Sequence, residues 1–314
     1  MSKSIQQEAN LVQTQNFWSL VKDYISLTKP GVLSLLLIST VCPMFVAAGR
    51  ELDLFLVIWT LIGGALISGS ASAINCVYDA DIDAIMQRTK LRPIPDGRIG
   101  KSGGLLFAFI IGMLGLVLMA VKVNPFAAAV AMFGHFFYVF IYTLWLKRST
   151  VQNIVIGGAA GAVPPVVGWV AVTGEINLTA ALMFLLIFLW TPPHFWALAI
   201  NKNADYTKAN VPMMPVIQGV RNTSIQMLAY AISLVPVSFL LVMSDDKLSW
   251  FSMFFLISMS LVFVEKNFRL YNRATMLTGK VDEKLNKISW EIFGYSIAYL
   301  GLFFLCLVID STLI

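Results

Sequence analysis

Nine stretches of predominantly apolar residues lie near 31–49, 54–75, 103–121, 125–146, 151–173, 178–200, 224–243, 248–265 and 291–309. Each is long enough to cross the hydrocarbon of a bilayer as a helix. Lipid offers no partner to backbone N–H and C=O groups, so such a run must close its hydrogen bonds within itself, and a helix does this in a single segment. Only 12% of the residues are charged, against about 25% in soluble domains. The expected fold is all-α: a polytopic membrane protein, a bundle of nine transmembrane helices. The separations at Lys122-Val-Asn-Pro125 and Asp245-Asp246-Lys247 are short, and the count of nine depends on them. Residues 1–16 are polar and precede any apolar run, so no cleavable signal peptide is expected. The chain divides into a cytoplasmic tail over 1–20 and one integral-membrane domain over 21–314.

Charge sets the direction of threading, because cytoplasmic loops carry the excess of Lys and Arg. With the N-terminus inside, only Arg50, Lys122 and Lys247 of the 22 Lys and Arg residues fall outside. The inside set runs from Lys3, Lys22 and Lys29 to Lys280, Lys284 and Lys287. The expected topology therefore places the N-terminus in the cytoplasm and the C-terminus outside. The net charge of +5 is then mostly cytoplasmic surface charge, suited to contact with anionic membrane lipid. No nucleic acid partner is expected, since the basic residues are tied to span ends. Cys42, Cys76 and Cys306 are scattered without CxxC spacing, so neither a zinc site nor a disulfide framework is indicated.

Against so apolar a background the polar residues stand out. The second span ends in Asn75-x3-Asp79-x3-Asp83, and steps of four keep these side chains on one helical face, about 12 Å from first to last. Carboxylates at the mouth of a membrane helix need a cation, a basic partner or water. Two acids and an amide in line suit Mg2+, which takes oxygen ligands and shares them with substrate phosphates. Asp81 lies about 200° round from Asp79 and is expected to face loop or water. The fourth span carries His135, Tyr138 and Tyr142 and ends in Lys147-Arg148; the sixth ends in Thr191-Pro-Pro-His194 and then Asn201-Lys202-Asn-Ala-Asp205-Tyr206. All three clusters fall at the same ends of even-numbered helices, which points to one cavity open toward the cytoplasm.

Asn201 and Asp205 repeat the spacing of Asn75 and Asp79, and each pair precedes a Pro-containing stretch. This reads as a weak internal duplication, with two oxygen-rich helix ends able to hold one or two divalent ions and a diphosphate. Pro192-Pro193 should break the sixth span, which is tolerated where a cavity is lined. Arg88 and Arg92 follow the acids directly and suit bidentate contact with phosphate oxygens. Lys90 and Arg98 fit topology charge equally well. Lys147 and Arg148 form a second clamp, with Tyr142 deeper. His194, beside the double proline, is a ligand or base candidate; His135 lies deeper, and for both a structural hydrogen bond is the alternative. Gly157-Gly158-Ala-Ala-Gly161 has no strand before it and reads as helix packing rather than a phosphate loop.

The Asn75-x3-Asp79-x3-Asp83 series resembles the first aspartate-rich motif of the UbiA superfamily of intramembrane prenyltransferases, and nine spans with an inside N-terminus match that superfamily too. Finer motifs are similar to its haem-farnesylating branch. These are Asp79-Ala-Asp81-Ile-Asp83 leading to Met86-x-Arg88-Thr89-x2-Arg92-Pro93, Tyr142-Thr-Leu-Trp-Leu-Lys147-Arg148, Asn153-Ile-Val-Ile-Gly-Gly158, Thr191-Pro-Pro-His194-Phe-Trp196, and Asp205-Tyr206 before Pro212-Met-Met-Pro215. The resemblance implies a UbiA-type bundle and Mg2+-dependent transfer of farnesyl from farnesyl diphosphate to a vinyl group of haem B, with water addition, giving haem O and diphosphate. It implies a metal held by Asn75, Asp79, Asp83, Asn201 and Asp205, with the three acids catalytic. Phosphate oxygens would be held by Arg88, Arg92, Lys147, Arg148, Lys202 and Tyr142, and haem contacted by His194 and His135. Asn201 stands where the wider superfamily has an acid, so it could bind metal only as a neutral ligand. The implied setting is a bacterial plasma (inner) membrane. A receiving partner such as a haem A synthase or a terminal oxidase stays open.

Three other readings compete. A quinone-type prenyltransferase shares the metal site, but the Tyr142–Thr150 and Thr191–Trp196 stretches oppose it. A secondary transporter should carry its acids deep within spans, whereas these lie at span ends beside basic loops. A haem-handling protein without catalysis has no need of the aspartate series.

Overall fold

The computed structural model describes residues 16–276 and 282–313. Residues 1–15 of the expected tail, with Lys3, and Lys280 of the charge tally lie outside the described residues. Among those described, every expected span is a helix: Pro30–Glu51, Leu54–Tyr78, Lys101–Lys122, Pro125–Ser149, Asn153–Thr173, Leu178–Asn201, Gly219–Met243, Trp250–Met276 and Glu283–Leu313.

Both short separations are real helix ends, and each is capped. Asn124 accepts from the Ala127 N–H (2.7 Å) and Pro125 opens the fourth span, a side-chain cap followed by the residue that needs no N–H partner. Asp310 of the ninth span accepts from the backbone N–H and the hydroxyl of Ser249 (2.7 and 2.6 Å) at the start of the eighth. At the same end of the bundle, Arg50 donates to the Thr312 carbonyl and Lys247 to the Ala47 carbonyl. Lys122 sits over the Trp59 ring. The three basic residues set apart by the charge tally thus serve helix ends and a ring face, where cations are favoured.

At the opposite, basic end, the seventh, eighth and ninth helices run past their apolar windows. Helical geometry persists there because polar side chains pair outside the hydrocarbon: Arg269 reaches Glu265 (3.6 Å) and Glu291 (3.9 Å). A short helix, Phe17–Leu27, precedes the first span. It exposes Phe17 and Trp18, packs Tyr24 on Phe107, and pairs buried Asp23 with Arg98 of the second connection. That pairing, together with the Arg98 bond to Asp96, gives Arg98 a structural occupation.

The sixth span corrects one expectation. Pro192 and Pro193 sit inside a continuous helix, Leu178–Asn201, and both are buried. Neighbouring helices hold this segment on several sides, which is how membrane helices tolerate proline. The irregular helix is the fourth instead: Phe137–Leu146 is wound as a π-helix, a form often found at functional sites. The widened turns carry Tyr142 onto Gly157, where an added Cβ would lie 2.3 Å from the ring.

The buried side chains form two large clusters, one centred on the sixth to ninth spans and one on the first, second, fourth and fifth. A cavity is lined from both. The first and fifth spans touch at Gly168: a Cβ there would lie 1.9 Å from the Thr40 carbonyl oxygen. Backbone cannot yield as a flexible side chain does. Gly168→Val is expected to destabilise the protein by at least about 2 kcal/mol, read as a lowered thermal transition of the detergent-solubilised chain. An unchanged transition would show that the contact is dispensable.

Candidate active site

Asp79 stands at the junction of the second span and the short helix Ala80–Ile85. The backbone keeps its four-residue bonding through the junction, Asp79 N–H to Asn75 O (2.9 Å) and Asp83 N–H to Asp79 O (2.8 Å). Asn75, Asp79 and Asp83 therefore share one face as their spacing requires. All three are buried, Asp79 at 1% exposure.

Burial of carboxylates demands compensation, and each receives it from a different element. Lys147, from the end of the fourth span, donates to Asp79 Oδ2, as does Asn75 Nδ2 (2.7 Å). Asn75 also donates to Thr143 Oγ (3.0 Å) and accepts from Lys29. Arg92 pairs with Asp83 Oδ2 at 2.6 Å, and Thr89 Oγ donates to the Asp83 carbonyl. Lys29 carries no role in the sequence reading beyond its place in the charge tally. Its only signal is position: a basic residue directly before Pro30, held with positive φ (53°) at the head of the first span. Burial pushes the Lys29 ammonium below its ordinary range.

A cavity of ≈ 400 Å³ opens from this cluster into the bundle. Asn75, Asp83, Arg88, Arg92, Tyr142, Lys147, His135 and His194 all line it, so most of the expected site is brought together. Asp79 backs the wall through Asn75 and Lys147. Tyr206, next to Asp205, also lines it; burial raises its hydroxyl pKa, opposed by the nearby Arg88. Deeper walls are apolar, with Leu35, Ile67, Val163, Val167 and Ile187, and smooth at Gly64 and Gly161, where nothing stands within 4 Å of an added Cβ. Within the glycine-rich stretch, Gly157 and Gly158 pack on Tyr142 and Thr191, the packing role expected of them.

Four expected residues are placed elsewhere. Arg148 grips Asp81 with two nitrogens (2.7 and 2.8 Å) and covers the Tyr78 ring. The turn that sends Asp81 away from Asn75 makes it the natural partner for this guanidinium. Asn201 donates to Ala197 O and Ser289 Oγ (3.1 Å), and Lys202 lies over the Trp290 ring. Both therefore face the ninth span. Asp205 sits half-buried on the helix Asn203–Lys208, outside the cavity lining.

One atom bears on whether this donor set suits a divalent cation. Asp79 Oδ1 is buried and accepts no hydrogen bond from any described residue; the Arg148 guanidinium stands 3.8 Å away. An unused carboxylate oxygen in a series that also holds the Asn75 amide and the Asp83 carboxylate suits a hard cation. Among the described residues no group of three or more His, Cys, Asp or Glu is placed to hold a metal ion by itself. Mg2+ does not need one, since it uses one or two carboxylates and completes its shell with water and phosphate oxygens. The residues fit.

Comparison with known proteins gives a consistent result. The sequence model of the UbiA prenyltransferase family matches residues 35–278. A protoheme IX farnesyltransferase of Picosynechococcus sp. is 44% identical over 297 residues, 95% of this chain and 91% of the relative. One from Trichodesmium erythraeum is 45% identical, covering 94% and 88%. A third, from Chloroflexus aurantiacus, is 43% identical over 96% of this chain, which spans 50% of that longer relative. Among solved structures, a digeranylgeranylglyceryl phosphate synthase superposes with a TM-score of 0.74 at 18% identity, over 93% of this chain and 98% of that one. A UbiA homolog from Archaeoglobus fulgidus bound to GPP and Mg2+ gives 0.66 at 17%, over 88% and 99%. The last two establish likeness of fold.

The Arg148–Asp81 grip predicts a measurable coupling. The pair is part-exposed, Asp81 at 61% of its side chain, so a double-mutant cycle with Asp81→Asn and Arg148→Gln should return only about 0.5 kcal/mol. The guanidinium holds the Asp81 carboxyl at about 2, below its ordinary 3.8. A depressed carboxyl stabilises the fold fully above its unfolded value, so the coupling should be constant above about pH 4 and vanish as pH falls through 2. Coupling that disappears already at pH 4 would contradict the assignment.

Proposed function

The chain belongs to the UbiA prenyltransferase family, and from that membership we propose that it transfers farnesyl from farnesyl diphosphate to a vinyl group of haem B, producing haem O and diphosphate. The observation that carries the site assignment is the buried acid series, with Asp79 Oδ1 unsatisfied behind the wall and Asn75 and Asp83 on it, at one end of a cavity whose mouth is basic and whose depth is apolar. A charged diphosphate at one end and a hydrocarbon chain at the other match that polarity.

In this reading Asn75, Asp79 and Asp83 hold Mg2+, which when bound neutralises charge on the diphosphate; Asp205 would join from the neighbouring helix. Arg88, Arg92, Lys147 and Lys29 hold phosphate oxygens. As the allylic C–O bond breaks, its electron pair goes to the diphosphate, and preorganised cations stabilise that developing charge. Lys147 and Arg92 already point into the cluster, so little reorganisation is required of them. The apolar walls keep water from the allylic cation until the vinyl group of haem attacks its C1 carbon. One water then adds to the haem-side cation, and its proton leaves to solvent. Tyr142, braced on Gly157, borders the diphosphate end. His194 and His135 line the cavity and would face the haem, with His135 Nε2 lying 3.1 Å from Ser70 Oγ. Arg148 and Lys202 act from outside the cavity, as helix ties.

The excess of Lys and Arg at the site end supports a cytoplasmic mouth and N-terminus in a bacterial plasma membrane, with residues 21–314 acting as one membrane unit. Asp79→Asn and Asp83→Asn keep hydrogen bonds to Lys147 and Arg92 while removing charge. Each should lower farnesyl transfer at least about a hundredfold with normal membrane insertion, measured by chromatography of the haem product with and without Mg2+. Near-wild-type turnover by either purified variant, or full activity in excess chelator, would contradict the metal assignment.

A further inference from the structure

The ninth span carries no motif that singles it out, yet two of its residues close around His194. The imidazole is stacked between Trp190 (centroids 4.3 Å, planes 15° apart) and Phe293 (4.9 Å, 22°). Ser296 ties this stack at two points. Its carbonyl accepts from Trp190 Nε1 (2.9 Å), and its hydroxyl lies 2.7 Å from His194 Nδ1. That hydroxyl has one proton, which it donates to the Phe293 carbonyl (2.7 Å). With that proton given to Phe293 the hydroxyl accepts at His194, the tautomer in which the ring carries its proton on Nδ1 and leaves the Nε2 lone pair free. Nε2 makes no hydrogen bond to any described residue, and His194 lines the cavity.

We infer that Ser296 is a positioning residue for the acceptor: it fixes the tautomer and plane of His194 so that Nε2 presents a lone pair to the iron of the bound haem. A ligating histidine ordinarily gives its second N–H to an acceptor that holds the ring, and loss of that acceptor lowers metal affinity about 10- to 100-fold. Ser296 supplies the acceptor, and Trp190 and Phe293 block ring rotation. The inference rests on haem being the acceptor. It extends that reading by locating specificity for an iron-bearing plane in the sixth and ninth helices, away from the carboxylates.

The test uses the purified full chain in lipid nanodiscs, titrated with haem B and followed by the Soret band and by resonance Raman of the ferrous iron–histidine stretch. His194→Ala should abolish the stretch. Ser296→Ala should weaken haem binding about tenfold or more and shift the stretch, leaving KM for farnesyl diphosphate unchanged; Ser296→Thr, which keeps the hydroxyl, should restore both. If His194→Ala loses the stretch while Ser296→Ala binds haem as wild type does, the positioning role is overturned and His194 keeps its haem contact. Should His194→Ala leave affinity and spectrum intact in a protein that still makes haem O, the inference fails and the farnesyl-transfer reading stands. Absence of haem product from the wild type would instead strike the reading itself.

Discussion

A carboxylate at the edge of a hydrocarbon slab is stable only in the company of cations and hydrogen-bond donors, and Asp79 organises its end of the bundle through that requirement. Lys147 comes to it from the fourth span and Asn75 from the turn before; Asn75 in turn holds Lys29 of the first span and Thr143. Three helices thus converge on one buried group. The neighbouring Asp83–Arg92 pair draws in the connection that follows the second span, and Asp81 engages Arg148 on the outer side. Successive acids, each facing its own cation, join the helix ends.

The same arrangement sets up the chemistry. In the proposed reaction, cations that neutralise the buried carboxylates would already be oriented when a diphosphate arrives, and would meet developing charge with little reorganisation. Below them the wall changes character within a few turns, from Lys147 and Tyr142 to Ile67 and Val167. On the proposed reading, the polar head and apolar tail of one substrate would be sorted by depth. The π-helical stretch of the fourth span and the glycines of the fifth act together: one pushes Tyr142 inward, the other gives it room.

Much of this was legible in the sequence because membrane helices obey strong local rules. Apolar run length located the nine membrane-length helices found among the described residues, and the four-residue spacing of Asn75, Asp79 and Asp83 survived the helix junction. What escaped depended on contacts distant in sequence. Lys29 looks like any basic residue flanking a span until the fold sets it on Asn75. Ser296 and Phe293 are ordinary members of an apolar helix until they meet His194. Arg148 and Lys202 have the right charge in the right region, but a guanidinium one residue from Lys147 points about 100° away from it, and so finds Asp81 instead. Pro192-Pro193 misled because proline propensity describes an isolated helix, whereas packing on several sides decides in the bundle.

The central claim is that the acid series and its cations form one site for a metal and a diphosphate together. Calorimetric titration of the purified protein with the unreactive thio-analogue of farnesyl diphosphate, with and without Mg2+, tests it most directly. If both ligands occupy that site, each must tighten the other by the same factor, and a gain of at least about tenfold is expected. Equal affinity for the analogue in the presence and absence of Mg2+ would contradict the account.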